Sequence, residues 1–125
     1  MRTNVGAMSD VTVLHNPKCS TSRAAIETLD ATGTQAEVIQ YLKEPLDEAA
    51  LRELIGKLED EPTELVRRDS FFKEQGLTDA DVATVDQIVA VLVEHPRLMQ
   101  RPVIVKGDAA IIGRPKDRVA AFLAG

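Results

Sequence analysis

The chain holds a single cysteine, Cys19, inside the segment His15-Asn16-Pro17-Lys18-Cys19-Ser20-Thr21-Ser22-Arg23. An apolar, β-branched run ends just before this segment and a helical pattern begins just after it. A thiol between a strand end and a helix start meets outward-pointing peptide N–H groups and the positive end of the helix dipole. Both favour the thiolate, which is the reactive form. His15, Lys18, Ser22 and Arg23 add donors or positive charge nearby, which gives a physical route to an activated nucleophile. A lone cysteine is more often a buried structural residue. Such a residue keeps apolar company, whereas Cys19 has Lys, Ser, Thr and Arg around it.

Spacing limits what that thiolate can do. A loop that encircles phosphate with successive N–H groups needs a longer gap than the three residues between Cys19 and Arg23. A dithiol oxidoreductase needs a second cysteine where Ser22 stands, so a group bound to Cys19 must be released by a thiol from outside. One cysteine forms no internal disulfide and is too few for a thiolate zinc site. With His15 and His95 far apart in sequence, no metal centre is expected. Arginine is the second signal. Arg67-Arg68, Arg101-Pro102 and Arg114-Pro115 each fall at a boundary between elements, and planar forked donors suit tetrahedral oxyanions better than lysine does. Spacing alone does not bring them together.

The elements that must position these groups can be read along the chain. Val11–Leu14 is a buried strand, and Thr21–Ala31 a helix with Ala25, Ile26 and Leu29 on one face and Gly33 as its stop. Gln35–Gln40 reads as a second strand. Asp47 suits an N-cap, Leu46 and Leu51 form a hydrophobic staple, and Leu51, Leu54, Ile55 and Leu58 follow helical spacing. Pro62–Asp81 is polar with short apolar pairs, as small helical turns are. Thr84 and Gln87 suggest a capping box that opens a helix with Val85, Ile88, Val89 and Leu92 inward, ending near His95 before Pro96. Val103–Val105 and Ala109–Ile112 flank the turn residues Lys106-Gly107-Asp108 as a hairpin. Pro115 suits the first turn of a closing helix. The expected architecture is α/β: a four-stranded mixed sheet with helices on both sides and a helical insertion between the second and third strands. The first two strands should be parallel with a right-handed crossover, and the last two antiparallel.

Composition bounds the classes of function. Apolar residues make up 44% and charged residues 28% of 125 positions, the balance of one soluble globular domain. A net charge of −5 argues against general nucleic-acid or anionic-membrane binding. The apolar run Ile88–Val93 is far short of a membrane span. The opening ten residues carry no apolar h-region, so they do not read as a signal peptide. The expectation is a cytoplasmic protein with one domain over residues 11–125, preceded by a disordered extension over 1–10. Met8 offers an alternative start, which would leave Met1–Ala7 outside the native protein.

The motif His-Asn-Pro-x-Cys-x-Thr-Ser-Arg at 15–23 resembles the signature of the arsenate reductases that use glutathione and glutaredoxin, on a thioredoxin-like fold. The match continues through Tyr41-Leu42, Leu65-Val66-Arg67-Arg68, His95-Pro96, Arg101-Pro102-Val103 and Gly113-Arg114-Pro115, and so spans nearly all of Val11 to Leu123. The resemblance implies that Cys19 is the nucleophile forming a thiol–arsenate adduct, and that Arg67, Arg101 and Arg114 hold the oxyanion. It implies that His15 and Ser22 tune the cysteine, that Arg23 is the basic residue kept beside it, and that Pro102 follows a cis peptide bond. No bound cofactor is implied. The partners are arsenate, a small-molecule thiol such as glutathione, and a glutaredoxin-like or thioredoxin-like protein. Departures are Ser20, where family members often have glycine, the charged Lys18, and a shorter C-terminal end. Two other functions stay open on the same fold: a monothiol glutaredoxin-like oxidoreductase acting on mixed disulfides, suggested by Cys19 and Ser22, and a non-catalytic redox or transcription-regulatory module.

Overall fold

The computed structural model describes residues 11–124, so the expectations for the opening ten residues and for Met8 as a start lie outside the described residues. Strand β1 (Val11–His15) leads into helix α1 (Ser20–Ala31) and strand β2 (Glu37–Gln40). Helix α2 (Glu48–Lys57) opens the insertion. It continues through a 3₁₀ turn at Pro62–Leu65, the short helix α3 (Ser70–Glu74), a second 3₁₀ turn at Asp79–Val82 and helix α4 (Val85–Glu94). A third 3₁₀ turn at Pro96–Leu98 precedes β3 (Val103–Lys106), β4 (Ala109–Ile112) and α5 (Arg118–Ala124).

The strands form one sheet in the order β2-β1-β3-β4. β1 pairs with β2 in parallel, Val13 opposite Val38, and with β3 in antiparallel, Val13 opposite Ile104. β3 and β4 are the expected hairpin, closed more tightly than the turn residues suggested, because Lys106 pairs with Ala109 inside the ladder. Gly107 then takes the left-handed conformation, at φ 59°, that a two-residue turn requires.

Alternation along the strands divides the core in two. Leu14, Val103, Ala110 and Ile112 face α2, α4 and the insertion, where Leu51, Leu54, Leu65, Ile88 and Leu98 are buried. Val11, Val13, Ile104 and Ile111 face α1 and α5, against Ala25, Leu29 and Val119. Burial on both faces suits strands rich in Val, Ile and Leu, as β1 and β3 are.

The helix-start signals are met. Asp47 accepts from Ala50 N at 2.8 Å, and Thr84 with Gln87 forms the reciprocal capping box. Two expectations are corrected. Val85 is 38% exposed instead of inward, because it is the first residue of α4, where the apolar stripe runs past the core. Pro115 is not in the closing helix. It lies in a turn whose carbonyl accepts from Arg118 N, and α5 starts only at Arg118.

Candidate active site

The loop after β1 is organised by its own residues. Asn16 Oδ1 accepts from Lys18 N at 2.9 Å, the short side-chain turn that asparagine favours, and Asn16 O accepts from Cys19 N at 3.0 Å. Asn16 N donates to Ser22 Oγ at 3.0 Å, and Ser22 Oγ shares a 2.6 Å hydrogen bond with His15 Nδ1. His15, Asn16 and Ser22 are all buried. They therefore stitch the end of β1 to the first turn of α1.

Cys19 is the N-cap of α1, with extended backbone at φ −101° and ψ 123°, and its carbonyl accepts the first helical bond from Arg23 N. The side chain is partly exposed. Burial pushes the thiol up. The Ser22 N–H, the Arg101 guanidinium and the Thr21 N–H outweigh that effect and hold it below its ordinary value. Burial, then the charge of Arg23, holds the His15 imidazole below its usual range, so it is neutral near pH 7.

The arginines come from three separate places. Arg114 Nη2 lies 3.4 Å from Cys19 Sγ, and Arg114 Nε donates to Arg101 O at 2.9 Å. Arg101 Nε is buried and meets no acceptor among the described residues. Arg67 is delivered by a short antiparallel bridge between Val66 and Met99, in which Arg67 N donates to Leu98 O and Gln100 N to Leu65 O. Burial, then the neighbouring Arg101, lowers the Arg67 pKa, with Arg114 adding to the effect and Asp69 opposing it. A hollow of about 200 Å³ is lined by Arg67, Arg68, Asp69, Gln100 and Arg114.

The peptide bond before Pro102 is cis, and so is the one before Pro115. Gly113 permits the approach of these two segments. A Cβ there would stand 2.9 Å from Pro102 Cγ and from Ile104 Cδ1, and Gly113 N donates to Pro102 O at 2.8 Å. Arg118 fixes the far side, bonding Ile112 O and Asp60 Oδ1 at 2.8 Å each.

The structure thus gathers Cys19, His15, Ser22, Arg101 and Arg114 in direct or one-step contact, with Arg67 across the hollow. Arg23 donates to Pro17 O at 2.9 Å, bracing the loop, and its charge acts on His15. Arg68 serves the insertion, with bonds to Thr63, Val66 and Asp79. Three residues had no role assigned from sequence. Asn16 was legible as an Asn-Pro turn signal. Tyr41 is buried beneath the site, its hydroxyl 3.5 Å from Met99 O. Burial raises its pKa, while interactions with Arg101 and Asn16 oppose that shift. Asp69 ion-pairs with Arg67, and nothing in the sequence around it announces that contact.

Among the described residues no group of His, Cys, Asp and Glu could hold a metal, and no helix is long and apolar enough to cross a membrane.

Comparison with known proteins gives a consistent result. Residues 14–122 match the model of the ArsC family. A Neisseria meningitidis protein named arsenate reductase is 34% identical over 118 residues, covering 93% of this chain and 100% of its own length. An uncharacterized Escherichia coli protein, YfgD, is 37% identical over 111 residues, covering 87% and 92%. The solved structure of arsenate reductase from Vibrio cholerae matches with a TM-score of 0.76 at 32% identity, covering 89% of this chain and 95% of that one.

Proposed function

The chain belongs to the ArsC family, with a thioredoxin-like fold, and on that premise we propose that it is an arsenate reductase with Cys19 as its nucleophile. The observation that carries this reading is the meeting of a thiol held below its ordinary pKa with an arginine fork, Arg114 Nη2 to Cys19 Sγ at 3.4 Å. A thiolate supplies the attacking pair, and the guanidinium groups supply donors for an oxyanion in the same place.

In the first step the Cys19 thiolate attacks the arsenic of arsenate. An S–As bond forms, an As–O bond breaks, and the released oxygen is protonated and leaves as water. Arg67, Arg101 and Arg114 offset the charge of the anion, and the buried Arg101 Nε is a donor that the described residues leave unsatisfied. His15, Ser22 and Asn16 hold the loop so that the N–H groups of Thr21 and Ser22 stay aimed at the thiol, with Arg23 as a brace. An external thiol, glutathione or its equivalent, then adds to the arsenic of the adduct as a second oxygen leaves as water. A thiol of a glutaredoxin-like or thioredoxin-like protein attacks the sulfur of that added thiol, so the two sulfurs join in a disulfide and the S–As electron pair reduces As(V) to As(III). Water then cleaves the remaining S–As bond, which releases arsenite and returns the Cys19 thiol.

The test is arsenite release from arsenate by the purified protein, across a panel of thiol donors, with Cys19→Ser as control. Turnover that falls at least ~10³-fold in Cys19→Ser supports the assignment, because the step is covalent. Turnover retained in that variant excludes Cys19 as nucleophile. Absence of arsenite with every donor excludes the reductase reading.

A further inference from the structure

The hollow beside Arg67 contains one carboxylate, and its position is fixed. Asp69 Oδ2 lies 3.3 Å from Arg67 Nη1, with the two side chains about a quarter exposed at 25% and 27%. Its other oxygen, Oδ1, accepts from Phe72 N at 3.0 Å as the N-cap of α3. A side chain tied at both oxygens does not swing aside when an anion enters. Arg68, next in sequence, does not neutralise it, since its guanidinium bonds Thr63, Val66 and Asp79.

The charge of the site follows from these residues. Arg67, Arg101 and Arg114 bring three positive charges, and the Cys19 thiolate together with Asp69 removes two. A tetrahedral dianion therefore meets far less net positive charge than the three arginines suggest, and it must share Arg67 with a competing carboxylate. Tight binding of the ground-state anion does not accelerate chemistry. It would also let inert tetrahedral anions such as sulfate or phosphate block the thiol.

We infer that Asp69 is a specificity-determining residue: a built-in carboxylate competitor that weakens the hold of the arginine cluster on tetrahedral oxyanions, and on dianions most. The inference rests on the anion-site reading above and extends it from which residues hold the anion to how tightly they do so. Asp69 acts through Arg67 and touches no reacting atom.

Asn caps a helix about as well as Asp, so Asp69→Asn removes the charge and keeps the cap. The experiment measures the sulfate concentration that half-protects Cys19 from iodoacetamide in the full chain at low ionic strength. Asp69→Asn should need about two- to fivefold less sulfate than wild type, the range of a partly exposed ion pair. The gain should be smaller with perchlorate, a tetrahedral monoanion, and should shrink as inert salt is added. A merely structural role would not produce that salt dependence. Asp69→Ser, another uncharged cap, is the second variant should Asp69→Asn fold poorly. Equal or weaker sulfate protection in the uncharged variants overturns the inference and leaves the anion site intact. No protection in wild type at any sulfate concentration overturns the anion-site reading, and the inference with it.

Discussion

The loop around Cys19 and the cluster of arginines meet at the thiol, where Arg114 Nη2 lies 3.4 Å from Sγ and the Arg101 guanidinium helps hold the pKa down, but they are made differently. The loop closes on itself within nine residues. Asn16, Cys19 and Ser22 bond one another and the adjoining backbone, so its shape follows from local rules for turns and caps. The cluster draws on positions 67, 101 and 114, each at the edge of a different element. Each is delivered by something remote: Arg67 by the bridge to Met99, Arg101 by the strand that follows it, and Arg114 by the close approach of Gly113 to Pro102. The thiol end is therefore robust to distant changes, whereas the arginine end depends on packing far from the thiol.

Arg101 couples the two regions electrostatically, holding the thiol down from within the arginine cluster, so its loss should have the largest effect. Arg101→Ala should lower kcat/KM for arsenate on the order of 10²-fold, the size seen when one fixed oxyanion donor is removed. The same variant should raise the pH midpoint of Cys19 alkylation, because the guanidinium is one of the groups that hold the thiol down. A loss of turnover with an unmoved midpoint would separate the two regions electrostatically and break the link drawn between them.

Packing at Gly113 tests the claim of remoteness. Gly113→Ala should destabilise the fold by about 1–3 kcal/mol through overpacking against Pro102, Ile104 and Val119, read from urea unfolding. Gly56, inside α2 with open space around its missing Cβ, provides the opposite sign: Gly56→Ala should stabilise by roughly 0.5–1 kcal/mol. Equal effects at the two sites would remove the special place given to Gly113.

The smallest effect belongs to the self-contained loop. The folded His15 pKa lies below its unfolded value of 6.5, through burial first and then Arg23. Its contribution to stability is thus fully present above about pH 6.5 and is lost as pH falls through the folded value. Between pH 7.5 and 5, wild type should lose urea midpoint faster than His15→Asn, whose side chain does not titrate. Parallel curves would remove His15 from the acid response of the loop.

Legibility followed the same division. The caps at Asp47 and Thr84, the strands read at 11–14, 103–105 and 109–112 and the Cys19 motif are readable because their determinants are near neighbours in the chain. Val85 and Pro115 were misplaced because periodicity and residue preference do not say where a core ends or when a helix starts. Asp69 was missed for another reason. As a sequence feature it is only a good helix cap, and its partner Arg67 is two residues away with no periodic relation that brings their charges together.

Sequence by itself determined the place of the lone thiol at a helix start and the α/β order of elements, since turn chemistry, capping and β-branched runs act over a few residues. The order and pairing of the strands carried Arg101 and Arg114 to the thiol, and the insertion carried Arg67. Only tertiary structure could decide that convergence, and with it the countercharge of Asp69. Electrostatic interaction depends on distance in space, which strand register and core packing set and sequence separation does not.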